Sequence, residues 1–198
     1  HWVLDHLNPQ PGRDLLDVAC GMGLFLEVAY RHGMKAVGID LSSKAVEISK
    51  QRIGSSDATK VVIANGEELP FGEQSFDYVT NIGSLEHFLD PLTGIQEMVR
   101  VLRPGGLAAV ILPNSYYLVD IIWEVWRKGY SVSHHQPLER FATFREWWDF
   151  LEQGGFKVLK GFKYNFCFPR SKADWIWYQQ HPRKILNLLV SPLIPFNL

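Results

Sequence analysis

Asp17-Val18-Ala19-Cys20-Gly21-Met22-Gly23 is the stretch that decides how this chain folds. It closes a short apolar run, Asp14 to Ala19, in which Leu15, Leu16 and Val18 read as a buried strand. It opens a helix-like stretch from Leu24 to His32. Two glycines at such a junction let the backbone take positive φ, and without Cβ atoms they let a bound molecule approach the main chain. In open α/β sheets ligands sit at this edge, outside the carboxyl ends of the strands.

The pattern repeats downstream. Gly33 ends the first helix, and Lys35 to Asp40 is a second buried strand, carrying Ala36, Val37 and Ile39. Ser42 or Ser43 caps a helix through Arg52. Val61 to Ala64 is a third strand, followed by the loop Asn65 to Phe71, and Phe76 to Asn81 is a fourth, bounded by turn residues. A helix with proline at its start spans Pro91 to Leu102, and the turn Pro104-Gly105-Gly106 leads into a fifth strand, Leu107 to Leu112. Strands alternating with helices predict a doubly wound, mostly parallel, Rossmann-like α/β sheet.

Towards the amino terminus the chain is expected to enter its first strand almost at once from His1. Beyond the fifth strand, residues 114–141 turn rich in aromatics and histidines, with an amphipathic helix expected over Tyr117 to Lys128. This segment reads as an insertion over the carboxyl ends of the strands. Thr143 then caps a helix to Gln153, Gly154-Gly155 stops it, and Phe156 to Phe166 resembles a sixth strand. The tail 171–198 is a carboxyl-terminal extension that mixes Trp175, Trp177 and Tyr178 with basic residues and the apolar Ile185 to Val190.

The 198 residues suit one α/β domain with a real core. The missing initiator methionine and the Pro-rich close from Ser191 to Pro195 point to truncation at both ends. Twenty Lys and Arg against 21 Asp and Glu give a net charge of -1, so no global positive field favours nucleic acid or an anionic surface. Cys20 and Cys167 show no CxxC or Cys/His spacing, so neither a disulfide framework nor a metal site is expected, and a reducing cytoplasm fits.

Two functional classes compete for the glycine loop. A dinucleotide fold requires G-x-G-x-x-G, but Leu26 stands at the third glycine position and an acid, Asp17, lies inside the strand; both argue against a pyrophosphate on the helix end. Asp40, at the close of the second strand, matches the carboxylate that takes both ribose hydroxyls, a feature that supports a nucleoside without choosing which.

The remaining motifs make the choice. Asn65-Gly66-Glu67-Glu68-Leu69-Pro70-Phe71 and Phe76-Asp77-Tyr78-Val79-Thr80-Asn81 stand in order with Asp17 to Gly23, Gly38-Ile39-Asp40-Leu41, Leu85-Glu86-His87 and Leu102-Arg103-Pro104-Gly105-Gly106. Together they resemble the successive motifs of class I S-adenosylmethionine-dependent methyltransferases. The resemblance is closest to the small-molecule type 11 group, which includes the ubiquinone and menaquinone biosynthetic enzymes, and it spans about Asp14 to Leu112. It implies a seventh strand, antiparallel beside the sixth, yet nothing after Phe168 reads as one, and Pro192 and Pro195 oppose it.

The resemblance also implies roles. The backbone of Ala19, Cys20, Gly21 and Gly23 approaches the methionine part of S-adenosylmethionine, with Asp17 near its ammonium. Asp40 holds the ribose and Leu41 packs on the adenine. Asn65, where the family usually has Asp, accepts from the adenine amino group; the Gly66 backbone meets the ring, and Glu67 belongs to the same loop. Asn81 offers its backbone carbonyl to the ammonium. No metal is required. If the acceptor carries a proton, His87, His134 and His135 are the candidate bases. Expected partners are a small-molecule acceptor, aromatic or lipid-like, and a peripheral membrane contact through 175–198; no nucleic acid is expected. The competing classes are a non-catalytic binding subunit of the same fold and a nicotinamide oxidoreductase.

Overall fold

A computed structural model describes residues 2–54, 58–113, 126, 129, 138, 140, 142–162, 172–181 and 185. It divides the chain into two units. The first comprises His1–Pro113, Leu138–Arg140 and Phe150–Lys157; the second comprises Asn114–Pro137, Phe141–Asp149 and Val158–Leu198.

The first unit is built on five parallel strands: β1 (Asp14–Val18), β2 (Lys35–Asp40), β3 (Thr59–Ile63), β4 (Phe76–Ile82) and β5 (Leu102–Ile111), in the order β3-β2-β1-β4-β5. Helices α1 (Trp2–Leu7), α2 (Leu24–Arg31), α3 (Ser43–Ile53) and α4 (Pro91–Val101) belong to it, and a 3-10 turn, Leu85–His87, precedes α4. Strand β1 is buried on both faces, which is why it reads as a continuous apolar run. Leu15 packs with Val3, Leu26, Ala29, Ala36 and Val46 on one side. Leu16 and Val18 pack with Ile39, Val79, Ile95 and Met98 on the other. The predicted doubly wound parallel sheet is therefore the fold observed.

Side chains start and brace the helices. Ser42 Oγ accepts from Ala45 N (3.3 Å) to cap α3. Asp90 accepts from Leu92 N and Thr93 N (3.1 and 3.4 Å) ahead of Pro91 in α4. On α4, Arg100 pairs with both oxygens of Glu97 (2.6 and 2.7 Å) and donates to the carbonyls of Phe71 and Leu69 (2.7 and 3.1 Å), while Glu97 also accepts from Leu69 N (2.7 Å). Two charged residues thus fasten the loop that follows β3.

Several expectations need correction. The chain does not run straight into a strand: Trp2–Leu7 is a helix whose Val3, Leu4 and Leu7 are buried. Six residues are too few for the helical period to stand out. Strand β3 begins at Thr59, two residues early. Strand β5 begins at Leu102 because the Pro-Gly-Gly turn is absorbed as an irregularity: Phe76 pairs with Leu102, whereas Tyr78 pairs with Leu107. Arg103 secures that join, donating to Asp14 Oδ2 (2.9 Å) and Asp77 Oδ2 (2.7 Å) at the amino ends of β1 and β4.

Residues 156–162 are not a strand. Apolar residues such as Phe156, Val158 and Phe162 are present, but a strand exists only where its main-chain groups meet a neighbouring ladder. Residues 163–166, the rest of that expected strand, lie outside the described residues. Among the described residues no strand follows Ile111.

Helix α5 (Phe144–Gln153) runs from the second unit into the first, and α6 (Lys172–Gln180) lies in the second. A capping box opens α5: Thr143 Oγ1 accepts from Glu146 N (3.2 Å), and Glu146 Oε2 accepts from Thr143 N (2.7 Å). Within the second unit Trp147 and Tyr178 are buried. The helix expected at 117–128 and the tail beyond 181 lie outside the described residues, apart from Trp126 and Ile185. No helix among the described residues is long and apolar enough to cross a membrane.

Candidate functional site

The carboxyl ends of β1, β2, β3 and β4 share one edge of the sheet, and most of the singled-out residues lie along it. Asp17 lies on the central strand. It pairs in register with Gly38 of β2 and Thr80 of β4, and is 2% exposed. Thr80 Oγ1 donates to Asp17 Oδ1 at 2.7 Å. Burial dominates its electrostatics: loss of water raises the carboxyl pKa, the Thr80 hydrogen bond lowers it, and the Asp40 charge raises it again, leaving it at about 7.

The turn above Asp17 is tightly determined. Ala19, Gly21 and Gly23 take φ of 59, 54 and 75°. Cys20 N donates to Ile39 O (2.8 Å), Gly21 N to Asp40 Oδ2 (2.9 Å) and Gly23 N to Cys20 O (3.0 Å). Asp40 thus clasps the glycine loop with one oxygen, and with the other, Oδ1, accepts from Ser42 N (2.8 Å). Each carboxylate oxygen keeps further lone-pair capacity for a hydroxyl. Beside it Leu41 is 72% exposed, an apolar surface free to cover a flat ring. Cys20 is buried, and burial together with the charges of Asp17 and Asp40 pushes its thiol up to about 12, so it stays protonated and is no nucleophile.

The loop after β3 folds back on itself. Asn65 Oδ1 accepts from Glu67 N (3.1 Å), and Glu68 N donates to Asn65 O (3.2 Å). Gly66 lies against the Phe88 ring: a Cβ there would stand 2.5 Å from Phe88 Cζ and 3.1 Å from Val18 Cγ1. The carboxylate of Glu67 turns to the chain before α4, with Oε1 accepting from Leu89 N (2.7 Å) and Asp90 N (3.3 Å). Asn81 is fully buried; its side chain donates to Val18 O (3.2 Å) and accepts from Leu85 N (3.0 Å), tying the ends of β1 and β4 to the 3-10 turn.

Among the histidines, His87 Nδ1 lies 2.6 Å from Leu138 O and Nε2 lies 3.6 Å from Glu86 Oε1. A carbonyl partner requires the proton on Nδ1, which leaves Nε2 as the basic nitrogen of the neutral ring. Arg140 donates to Leu89 O (2.6 Å) and Phe88 O (3.4 Å), so residues 138 and 140 are both fastened to the segment 87–89. His134 and His135 lie outside the described residues.

Sequence reasoning passed over Thr80 as a partner of Asp17, Phe88 as the ring beneath Gly66, and Arg140 as a fastening. Only Thr80 left a signal: a small hydroxyl in a buried strand, in register with an acid. The hollow lined by Asp14, Lys35 and Phe76 opens at the amino ends of the strands and holds none of the residues above. Among the described residues no cluster of His, Cys, Asp or Glu could hold a metal ion.

Known proteins match this arrangement. A family model described as a methyltransferase domain covers residues 16–110. The chain is 30% identical over 167 residues to a demethylmenaquinone methyltransferase of Staphylococcus epidermidis, an alignment covering 80% of this chain and 69% of that enzyme. It spans 65–69% of the length of such curated relatives. Among solved structures, an S-adenosylmethionine-dependent methyltransferase from Mesorhizobium loti shares the fold with a TM-score of 0.70 at 19% identity, covering 93% of this chain and 90% of its own. The 4+2 cyclase SpnF aligns with a TM-score of 0.66 at 26% identity, covering 80% and 57%. With its parallel sheet, its acid-flanked glycine turn and these relatives, the chain belongs to the class I S-adenosylmethionine-dependent methyltransferases, in the type 11 group.

Proposed function

We propose that this enzyme moves a methyl group from S-adenosylmethionine to a small-molecule acceptor of apolar, ring-bearing character, with residues 1–198 acting as one methyltransferase domain. The observation that carries the donor site is the pair of carboxylates on one edge. Asp17 is buried with a hydroxyl as its hydrogen-bond partner and suits a cation, while Asp40 is clasped to the glycine loop and suits a diol. An adenosyl amino acid offers both functions, an ammonium and a ribose diol.

When bound, S-adenosylmethionine supplies an electrophilic methyl on a charged sulfur, transferred in line to the acceptor. The chain's part is to hold and align. The main chain of Ala19 to Gly23 takes the amino-acid end together with Asp17 and the Asn81 carbonyl. Asp40 takes the ribose, and Leu41, Asn65 and Gly66 take the adenine. Glu67 holds the segment 89–90 and leaves the ligand to its neighbours. Alignment of two bound reactants supplies on the order of 7–11 kcal/mol of the barrier reduction. Where the acceptor must lose a proton, His87 Nε2, His134 or His135 receives it. On its sequence alone we assign the acceptor side to the segment 114–141, and the demethylmenaquinone methyltransferases among the relatives support a quinone-like ring as the acceptor class. The aromatic segment 175–198 is the candidate for contact with a membrane from which such an acceptor comes.

Calorimetry tests the donor site. S-adenosylhomocysteine binds and NAD does not. Asp40→Asn loses the charged acceptor for the ribose hydroxyls and weakens binding roughly ten- to hundredfold. Absence of S-adenosylhomocysteine binding defeats the proposal. The fold likeness to a cyclase favours a second reading, a chain that binds the donor without transferring methyl. Binding with no methyl transfer to any quinone-like, phenolic or amine acceptor selects it.

A further inference from the structure

We infer that the donor's ammonium enters this site in exchange for a proton on Asp17: the carboxyl stands neutral while no cation faces it and ionises as one arrives. This deepens the donor-site assignment above and rests on it.

The geometry around Asp17 is one-sided. The group is 2% exposed at the end of the central strand, so water cannot solvate a carboxylate there. Each element packed on it contributes something other than a cation. Strand β4 supplies the Thr80 hydroxyl, a single hydrogen bond at 2.7 Å, and the Asn81 amide, which is spent on Val18 O. Strand β2 supplies Gly38, with no side chain, and Asp40, a like charge. The turn supplies Cys20, whose thiol is itself held protonated. Among the described residues no Lys or Arg pairs with Asp17. One hydroxyl does not offset burial beside a second carboxylate, and a carboxyl so placed keeps its proton near neutrality.

An incoming ammonium reverses the balance, because an opposite charge in a dry site favours the ionised acid. The Asp17 O–H bond breaks, its electron pair stays on the carboxylate, and the proton leaves to solvent. One positive charge enters as another departs, so arrival of the ammonium leaves the net charge of the site unchanged. The same exchange selects donors that carry the amino-acid ammonium over nucleosides that lack it.

Calorimetry of the full chain with S-adenosylhomocysteine, repeated in buffers of different ionisation enthalpy, counts the protons released. 5′-Methylthioadenosine, which has the nucleoside and no ammonium, is the control. At pH 6 release approaches one proton per S-adenosylhomocysteine, at pH 8 it approaches none, and the control releases none at either pH. With the free carboxyl near pH 7, affinity for S-adenosylhomocysteine rises about fiftyfold from pH 5 to pH 7 and then levels. Thr80→Val, of similar shape, removes the bond that favours the ionised form and moves the rise to higher pH. Binding at pH 6 with no buffer dependence overturns the exchange while leaving the donor site standing. Equal release with the control, or an unmoved profile in Thr80→Val, assigns the proton to another group and overturns it too. Failure of S-adenosylhomocysteine to bind at any pH removes the donor site and this inference together.

Discussion

Ala19 holds a left-handed backbone, φ 59°, in a turn where its neighbours Gly21 and Gly23 hold the same sign without a side chain. For a residue with a Cβ this conformation costs roughly 1–2 kcal/mol. The backbone cannot relax, because Cys20 N is bound to Ile39 O and Gly21 N to Asp40, one on either side of the adjoining peptide. Ala19→Gly removes the strain but loosens the unfolded chain, which returns about 0.4–1 kcal/mol. The difference leaves the variant more stable by about 0.8 kcal/mol. Urea unfolding followed by tryptophan fluorescence measures it, as a higher midpoint at unchanged slope; in a thermal scan the same change is worth about 2–3 °C for a chain of this size. Ala19→Val, branched at the strained position, moves the midpoint the other way. A glycine variant less stable than the parent refutes the reasoning, since the methyl would then be contributing more by packing than it costs in strain.

Three further outcomes follow from the same geometry. Asp17 has a folded pKa near 7, above the unfolded value of 3.8, so without donor its burial costs nothing below the unfolded value and progressively more up to about pH 7. Relative to Asp17→Asn, the parent therefore loses up to ~1.4 kcal/mol per pH unit between pH 5 and 7, with the gap constant above; a gap independent of pH in urea titrations contradicts this. Gly66→Ala forces a methyl into Phe88 and costs about 1–3 kcal/mol, largely recovered when Phe88→Leu is added, which a double-mutant cycle detects. Arg100→Met strips the donors from Phe71 O and Leu69 O and leaves Glu97 with the Leu69 N–H but no counter-charge, lowering stability by about 1–3 kcal/mol; adding Glu97→Gln costs less than it does alone, and strict additivity would disprove the coupling.

The strands that form the site were legible because their apolar runs are short and set off by turn residues, as in β1, which is buried almost throughout. Lys35 to Asp40 is the clearest, its sequence limits being those of β2. Helices opened by a capping hydroxyl or a proline, at Ser42, Pro91 and Thr143, were equally readable, although the Asp90 cap before Pro91 went unread. What escaped depends on partners remote in sequence. The stretch Phe156–Phe166 looked like a strand, but no residue pattern can say whether a ladder stands beside it. Strand β5 starts early because the Pro104-Gly105-Gly106 turn is absorbed into it, a join secured by Arg103 reaching Asp14, 89 positions away. At the site, Asp17 and Asp40 announced themselves as acids in apolar strands. Thr80 gained its meaning only from being in register with Asp17, and the outward turn of Glu67 only from the backbone of Leu89.

The Phe88 ring lies between two residues without side chains: Gly66 on the loop after β3, and Gly94 on α4, where a Cβ would come within 2.5 Å of Phe88 Cδ2. These three positions are therefore not free to drift one at a time. Among descendants of a common ancestor, a larger residue at 66 or 94 should appear only where 88 has shrunk, so the trio should change in concert. Anyone grafting this adenine-side loop onto another scaffold must carry the wedge with it.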